Sequence, residues 1–111
     1  MVPTITRDEL VQAIEAGTVT VVDTLPAAYY ERQHLPGAVN LVEDDVAAGV
    51  ATVLPDRAAP VVTYCSNPAC PNSGRVANLL VRLGYTDVRR YEAGIEDWSG
   101  AGLPVVAGVT A

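Results

Sequence analysis

The sequence predicts an α/β fold: a mostly parallel, five-stranded sheet with helices on both faces, forming one domain. Three observations carry that expectation. Short runs rich in β-branched residues alternate along the chain with stretches of helical spacing, the pattern of parallel strands joined by crossover helices. No internal repeat or low-complexity segment breaks the alternation. Residues 61–64 (Val-Val-Thr-Tyr) form an apolar run typical of a buried central strand.

In chain order, residues 2–5 are expected as a short first strand. Thr6 and Glu9 stand three apart, as a capping box requires, and Leu10, Ala13 and Ile14 give the following helix an apolar face that Gly17 ends. Residues 18–23 are β-branched almost throughout and read as a buried strand, with Asp23 at its C-terminal end, the edge where open α/β sheets place ligands. Pro26 suits the first turn of a short helix through Tyr29, Tyr30 and Arg32. The Pro36-Gly37 turn leads into a short third strand. Glu43, Asp44 and Asp45 crowd the start of a weak helix toward Leu54, as the helix dipole favours. Pro55 and Pro60 bracket a surface loop before the strand at 61–64. Residues 75–83 carry apolar side chains at Val76, Leu79, Leu80 and Leu83, with Gly84 as the stop. Residues 87–91 form the fifth strand, Glu92-Ala93-Gly94 a turn, and 95–98 open a final short helix on which Trp98 packs.

The loop at 65–74 concentrates the chemistry. Strand, loop and helix make a cradle in which loop amides and the first helical turn converge on a point favourable to negative charge. Cys65 stands at its edge, and a thiolate there is expected to be stabilised. The competing reading is a small buried hydrophobe that ends a strand. Ser66, Asn67, Pro68, Ala69, Cys70, Pro71, Asn72 and Ser73 supply the loop's amides and turns, and Asn67, Asn72 and Ser73 suit either capping or donor contact.

Bulk properties narrow the partners. Half of the 111 residues are apolar and 18% are charged, enough for a core without staples. A net charge of −6 argues against nucleic acid or an anionic membrane surface. The opening residues lack the basic start and apolar run of a signal peptide, and no apolar stretch reaches membrane-spanning length, so a cytoplasmic location is expected. There, two cysteines are expected free or catalytic rather than bridged.

In order along the chain, Val21-Val22-Asp23, His34-Leu35-Pro36-Gly37-Ala38-Val39-Asn40, Val61-Val62-Thr63-Tyr64-Cys65, Leu83-Gly84-Tyr85, and Arg89 to Trp98 with Ala101-Gly102-Leu103-Pro104 resemble the motifs of a rhodanese-like, single-domain sulfurtransferase. The resemblance spans nearly the whole chain as one domain. It implies that Cys65 takes a sulfane sulfur from a small-molecule donor such as thiosulfate, holds it as a persulfide, and yields it to cyanide, a thiol or an acceptor protein, with no cofactor and no metal. Two positions depart from the pattern. Leu25 stands where many members carry an arginine, and Cys70 occupies the position of the loop arginine that often grips thiosulfate.

The remaining residues are open to two readings each. Cys70 is a resolving thiol, a second sulfur carrier or loop packing. With so few ligands, Cys65, Cys70 and His34 make a poor zinc set. The chain's one histidine, His34, is expected to be structural, which leaves Cys65 without a base of the usual kind. Asp23 is expected to hydrogen-bond loop amides, and Arg75 either attracts an anionic donor or lies on a solvated face. A redox module cycling a Cys65–Cys70 disulfide is the alternative function. A phosphatase or arsenate reductase is disfavoured because residue 71 is Pro where an arginine clamp is needed.

Overall fold

The computed structural model describes residues 2–108. Ten elements follow in order, beginning with α1 (Arg7–Ala16), β1 (Thr20–Asp23), α2 (Ala27–Arg32) and β2 (Val39–Asn40). A single 3₁₀ turn at Glu43–Asp45 then leads into α3 (Val46–Val53). The chain closes with β3 (Val61–Tyr64), α4 (Asn72–Arg82), β4 (Val88–Tyr91) and α5 (Gly94–Gly100). The strands are parallel in the order β2-β1-β3-β4, so β3 is interior. Register pairs Asp23 with Tyr64 and Tyr64 with Tyr91, so the C-terminal ends of three strands align along one edge of the sheet. Cys65 is the next residue beyond that edge.

The core divides by the alternation of side chains along each strand. Val62, Tyr64 and Tyr91 face Leu10, Tyr30, Ile95 and Trp98 from α1, α2 and α5, with Leu35 from the turn after α2. Val22, Val61 and Val88 face Val46, Val50, Val76 and Leu80 from α3 and α4. β3 is buried along its whole length, as a strand covered on both faces must be.

The local signals act as expected at α1. The Thr6 hydroxyl accepts the Glu9 amide at 3.2 Å, the Glu9 carboxylate accepts the Thr6 amide at 3.0 Å, and Gly17 ends the helix at φ 68°. Trp98 also packs as expected. Its side chain is buried edge-on to Tyr91, and its indole N–H donates to the Pro104 carbonyl at 2.8 Å.

Two expectations are corrected. The sheet has four strands rather than five, because residues 2–5 contribute one isolated bridge, Thr4 to Arg90. The Arg90 amide donates to the Pro3 carbonyl at 2.9 Å and the Ile5 amide to the Arg90 carbonyl at 3.0 Å. Pro3 has no amide to continue the ladder, and Thr6 already turns the chain into α1. The second correction is the start of α4, which lies at Asn72, three residues before the expected 75. Asn72 and Ser73 therefore belong to the first helical turn. Among the described residues, no helix is long and apolar enough to cross a membrane.

Candidate active site

Cys65 leaves β3 at the aligned edge and is 1% exposed. Its loop is held from three sides. The first amides of α5 cap it: Ile95 N–H donates to the Cys65 carbonyl at 2.9 Å and Glu96 N–H to the Ser66 carbonyl at 3.0 Å. That approach is so close that an added Cβ at Gly94, where φ is +77°, would stand 2.5 Å from the Ser66 carbonyl oxygen. Just past β1, the Thr24 carbonyl accepts the Asn72 side-chain amide at 3.3 Å. From β3, the Thr63 hydroxyl donates to the Ser73 carbonyl at 3.0 Å.

Within the loop, Asn67 makes the turn. Its side-chain oxygen accepts the Ala69 amide at 2.9 Å, its carbonyl accepts the Cys70 amide at 3.1 Å, and its side-chain nitrogen donates to Glu96 at 3.1 Å. Pro68, Ala69 and Pro71 are exposed at the rim, while Ser66, Cys70 and Asn72 are half-buried and Ser73 is fully buried. The turn brings Cys70 back over Cys65, whose thiol donates to the Cys70 carbonyl at 3.3 Å and lies 3.6 Å from the Ser73 hydroxyl. Both cysteines are free.

The two thiols are polarised in opposite senses. Burial pushes the Cys65 thiol up, and its hydrogen bonding to Cys70 adds to the rise; the Ser73 hydroxyl and amide oppose it only in part. Burial also acts on Cys70. There it is outweighed by hydrogen bonds from the Cys65 thiol, the amides of Asn72 and Ser66 and the Ser66 hydroxyl, which hold Cys70 below the usual thiol range. The stabilisation of a thiolate expected at Cys65 is therefore not what its surroundings favour in the resting protein, where Cys70 is the thiol held low.

Asp23 is fully buried, and its carboxylate is closed by the Leu25 amide at 2.8 Å and the Tyr64 hydroxyl at 2.7 Å. Tyr64 in turn accepts the Leu35 amide at 3.1 Å. With leucine at 25, these neutral donors do what an ion pair would otherwise do. Desolvation raises the Asp23 carboxyl above its ordinary value, against the pull of those two hydrogen bonds and the nearby His34. A carboxyl raised on folding adds stability below its unfolded pKa and loses that contribution as pH rises through its folded one. Urea unfolding is therefore expected to show wild-type stability falling relative to Asp23→Asn as pH rises from about 4. A difference that stays constant with pH would remove this account of Asp23.

His34 is fully buried, stacked on Tyr30 at 3.9 Å between ring centroids, with Nδ1 2.8 Å from the Tyr30 carbonyl. Its backbone pairs with Val106 through two 2.8 Å bonds, so it ties the turn to the C-terminal segment. Arg75 is not brought to the thiols. Its side chain is 62% exposed and lies 3.9 Å from Glu43.

One residue at the site was not singled out from the sequence. Arg90 reaches under the loop from β4: Nε donates to the Ser73 hydroxyl at 2.7 Å, one terminal nitrogen to the Cys70 carbonyl at 3.3 Å, and the other to Glu92 at 3.2 Å. The available signal was alternation. Val88 faces α4, so Arg90, two residues on, faces α4 too, beside Gly74.

A family model described as a rhodanese-like domain matches residues 6–101. Over 107 residues the chain is 38% identical to an HTH-type transcriptional regulator of Mycobacterium tuberculosis, covering 94% of this chain and 45% of the regulator. This chain thus spans less than half of that relative. It is 32% identical to the thiosulfate sulfurtransferase PspE of Escherichia coli, covering 68% of this chain and 70% of that protein. Among solved structures, the BH2092 protein of Bacillus halodurans superposes with a TM-score of 0.86 at 24% identity, covering 97% of this chain and 79% of that one, a likeness of fold.

Proposed function

This chain belongs to the rhodanese-like domain family, and from that premise we propose that it is a sulfurtransferase carrying a sulfane sulfur as a persulfide on Cys65. The observation that carries the reading is the placement of Cys65. Its sulfur stands at the C-terminal edge of the interior strand β3, inside a loop braced by α5 and facing the Ser73 hydroxyl at the start of α4. The reaction that suits it has two displacements. The Cys65 thiolate attacks the outer sulfur of a donor such as thiosulfate, a new S–S bond forms, and the donor's S–S bond breaks so that sulfite leaves with the electron pair. A thiophilic acceptor, cyanide or a thiol, then attacks the outer sulfur of the persulfide and restores the Cys65 thiolate. The Ser73 hydroxyl and amide are the donors positioned to hold the anionic sulfur. Two free thiols suit a reducing compartment, which supports a cytoplasmic site of action.

Because the resting Cys65 thiol is protonated and raised, loading depends on its ionised fraction. The initial rate of sulfur uptake from thiosulfate, read by intact mass with the adduct mapped to Cys65, is expected to rise about tenfold per pH unit across the neutral range. A rate independent of pH there would mean that the attacking group is already ionised, and would turn the assignment toward Cys70.

One observation favours a second reading. The thiol of Cys65 is hydrogen-bonded to Cys70, and the half-exposed Cys70 is the more readily ionised of the two, an arrangement suited to a dithiol that closes to a disulfide under mild peroxide. Fast loss of both thiols without any sulfur adduct would favour that redox module.

A further inference from the structure

We propose that Arg90 is the positioning residue for the Cys65 sulfur, acting through the Ser73 hydroxyl. The loop from Ser66 to Gly74 contains no charged side chain, so no cation of its own stands near the reacting sulfur. Arg90 supplies one from below. Its Nε–H donates to Ser73 at 2.7 Å, which occupies a lone pair of that oxygen and leaves the hydroxyl proton free to point at the sulfur 3.6 Å away. A hydroxyl that accepts from a guanidinium is itself a stronger donor, because hydrogen bonds in a chain polarise one another. The second contact works in the same direction. The Arg90 terminal nitrogen takes the Cys70 carbonyl at 3.3 Å, the same oxygen that accepts the Cys65 thiol proton. Sharing that carbonyl weakens its hold on the proton, so both contacts favour the thiolate.

The other titratable groups around the site are engaged elsewhere. Asp23 and Tyr64 are closed on each other, Glu96 is held by Asn67, and Arg75 lies against Glu43. Tyr91 donates to Asp97. Glu92 meets the outer edge of the guanidinium, 3.2 Å from the nitrogen that contacts neither Ser73 nor Cys70. Cys70 is the remaining group, and it is removed in the test. The guanidinium fork is needed rather than charge alone, since two of its nitrogens engage two different partners at once.

This inference deepens the sulfurtransferase reading, yet its first measurement needs no sulfur transfer. In a Cys70→Ser background, iodoacetamide reports on Cys65 alone. Arg90→Gln is expected to slow alkylation at neutral pH about tenfold while leaving the alkaline plateau unchanged. Arg90→Lys, which keeps the charge and loses the fork, is expected to recover part of the rate, and thermal unfolding of each variant reports on folding. The decisive comparison is the double variant. In an S73A background, R90Q is expected to change the rate only about two- to threefold, because the route through Ser73 is gone and the Cys70 carbonyl contact alone remains. The same tenfold effect with and without Ser73, or no effect with Ser73 present, overturns the proposal. Slowed alkylation in R90Q without any sulfur uptake by the wild-type protein would sink the transferase reading alone. Normal uptake with unchanged alkylation in R90Q would sink this inference alone.

Discussion

Replacing Cys65 by serine is expected to abolish sulfur transfer to cyanide, by at least about a thousandfold, and to eliminate the adduct formed with thiosulfate. A serine hydroxyl in this position is as buried as the thiol, 1% exposed in the native chain, and has no neighbouring base to ionise it. It also cannot hold a sulfane sulfur as a stable persulfide. The fold should tolerate the change, since a hydroxyl can donate to the Cys70 carbonyl as the thiol does. The informative control is Cys70→Ser, which should keep the adduct. Thiocyanate release and intact mass decide the matter together. An adduct that survives in Cys65→Ser and disappears in Cys70→Ser would move the nucleophile to the half-buried cysteine.

Gly94→Ala carries the largest expected cost to stability. At φ +77° an alanine is strained by about 1–2 kcal/mol, and its Cβ would press to 2.5 Å from the Ser66 carbonyl oxygen and 2.7 Å from the Asn67 amide nitrogen. Those are backbone atoms of the cysteine loop, so no flexible side chain can yield. Relieving the clash means separating α5 from the loop, which breaks the Ile95 and Glu96 amide bonds to the carbonyls of Cys65 and Ser66. A total near about 3 kcal/mol follows from strain plus overpacking. For a domain of this size that lowers Tm by about 15 °C. Sulfur uptake by the surviving folded fraction, measured well below the new Tm, should fall as well, because the loop that aims Cys65 has moved. A melting temperature within about 3 °C of wild type would show that α5 does not brace the loop.

Most of the scaffold was legible because its signals are local. The capping box at Thr6 and Glu9, the stops at Gly17 and Gly84, and the β-branched runs at β1 and β3 act over a few residues, and each lies where periodicity placed it. The strand at residues 2–5 failed for a reason the sequence also contained: Pro3 cannot donate to a ladder, so only one bridge to Arg90 forms. Cys65 and its loop were legible as a unit, since strand, turn residues and helix are contiguous. The polarity of the two thiols was not, because it turns on how deeply the fold buries Cys65 and on its contact with Cys70, and the start of α4 went unmarked because no side chain caps it.

The α/β alternation, the family and the position of a cysteine at the C-terminal end of a buried strand were all readable from the chain. The alternation and the cysteine's place follow from residue type and spacing within one element and its flanking turns, whereas the family follows from the resemblance of several motifs in order along nearly the whole chain. Long-range packing decided which of the two thiols is held low, that Arg75 turns to Glu43, and that Arg90 arrives beneath Ser73. The place of Arg90 depends on the register of β4 against β3, the turn of Arg75 on α4 packing beside the 3₁₀ turn, and the shape of the cysteine loop on the docking of α5 over it. Each brings together residues roughly twenty to thirty positions apart, well beyond the reach of any local pattern.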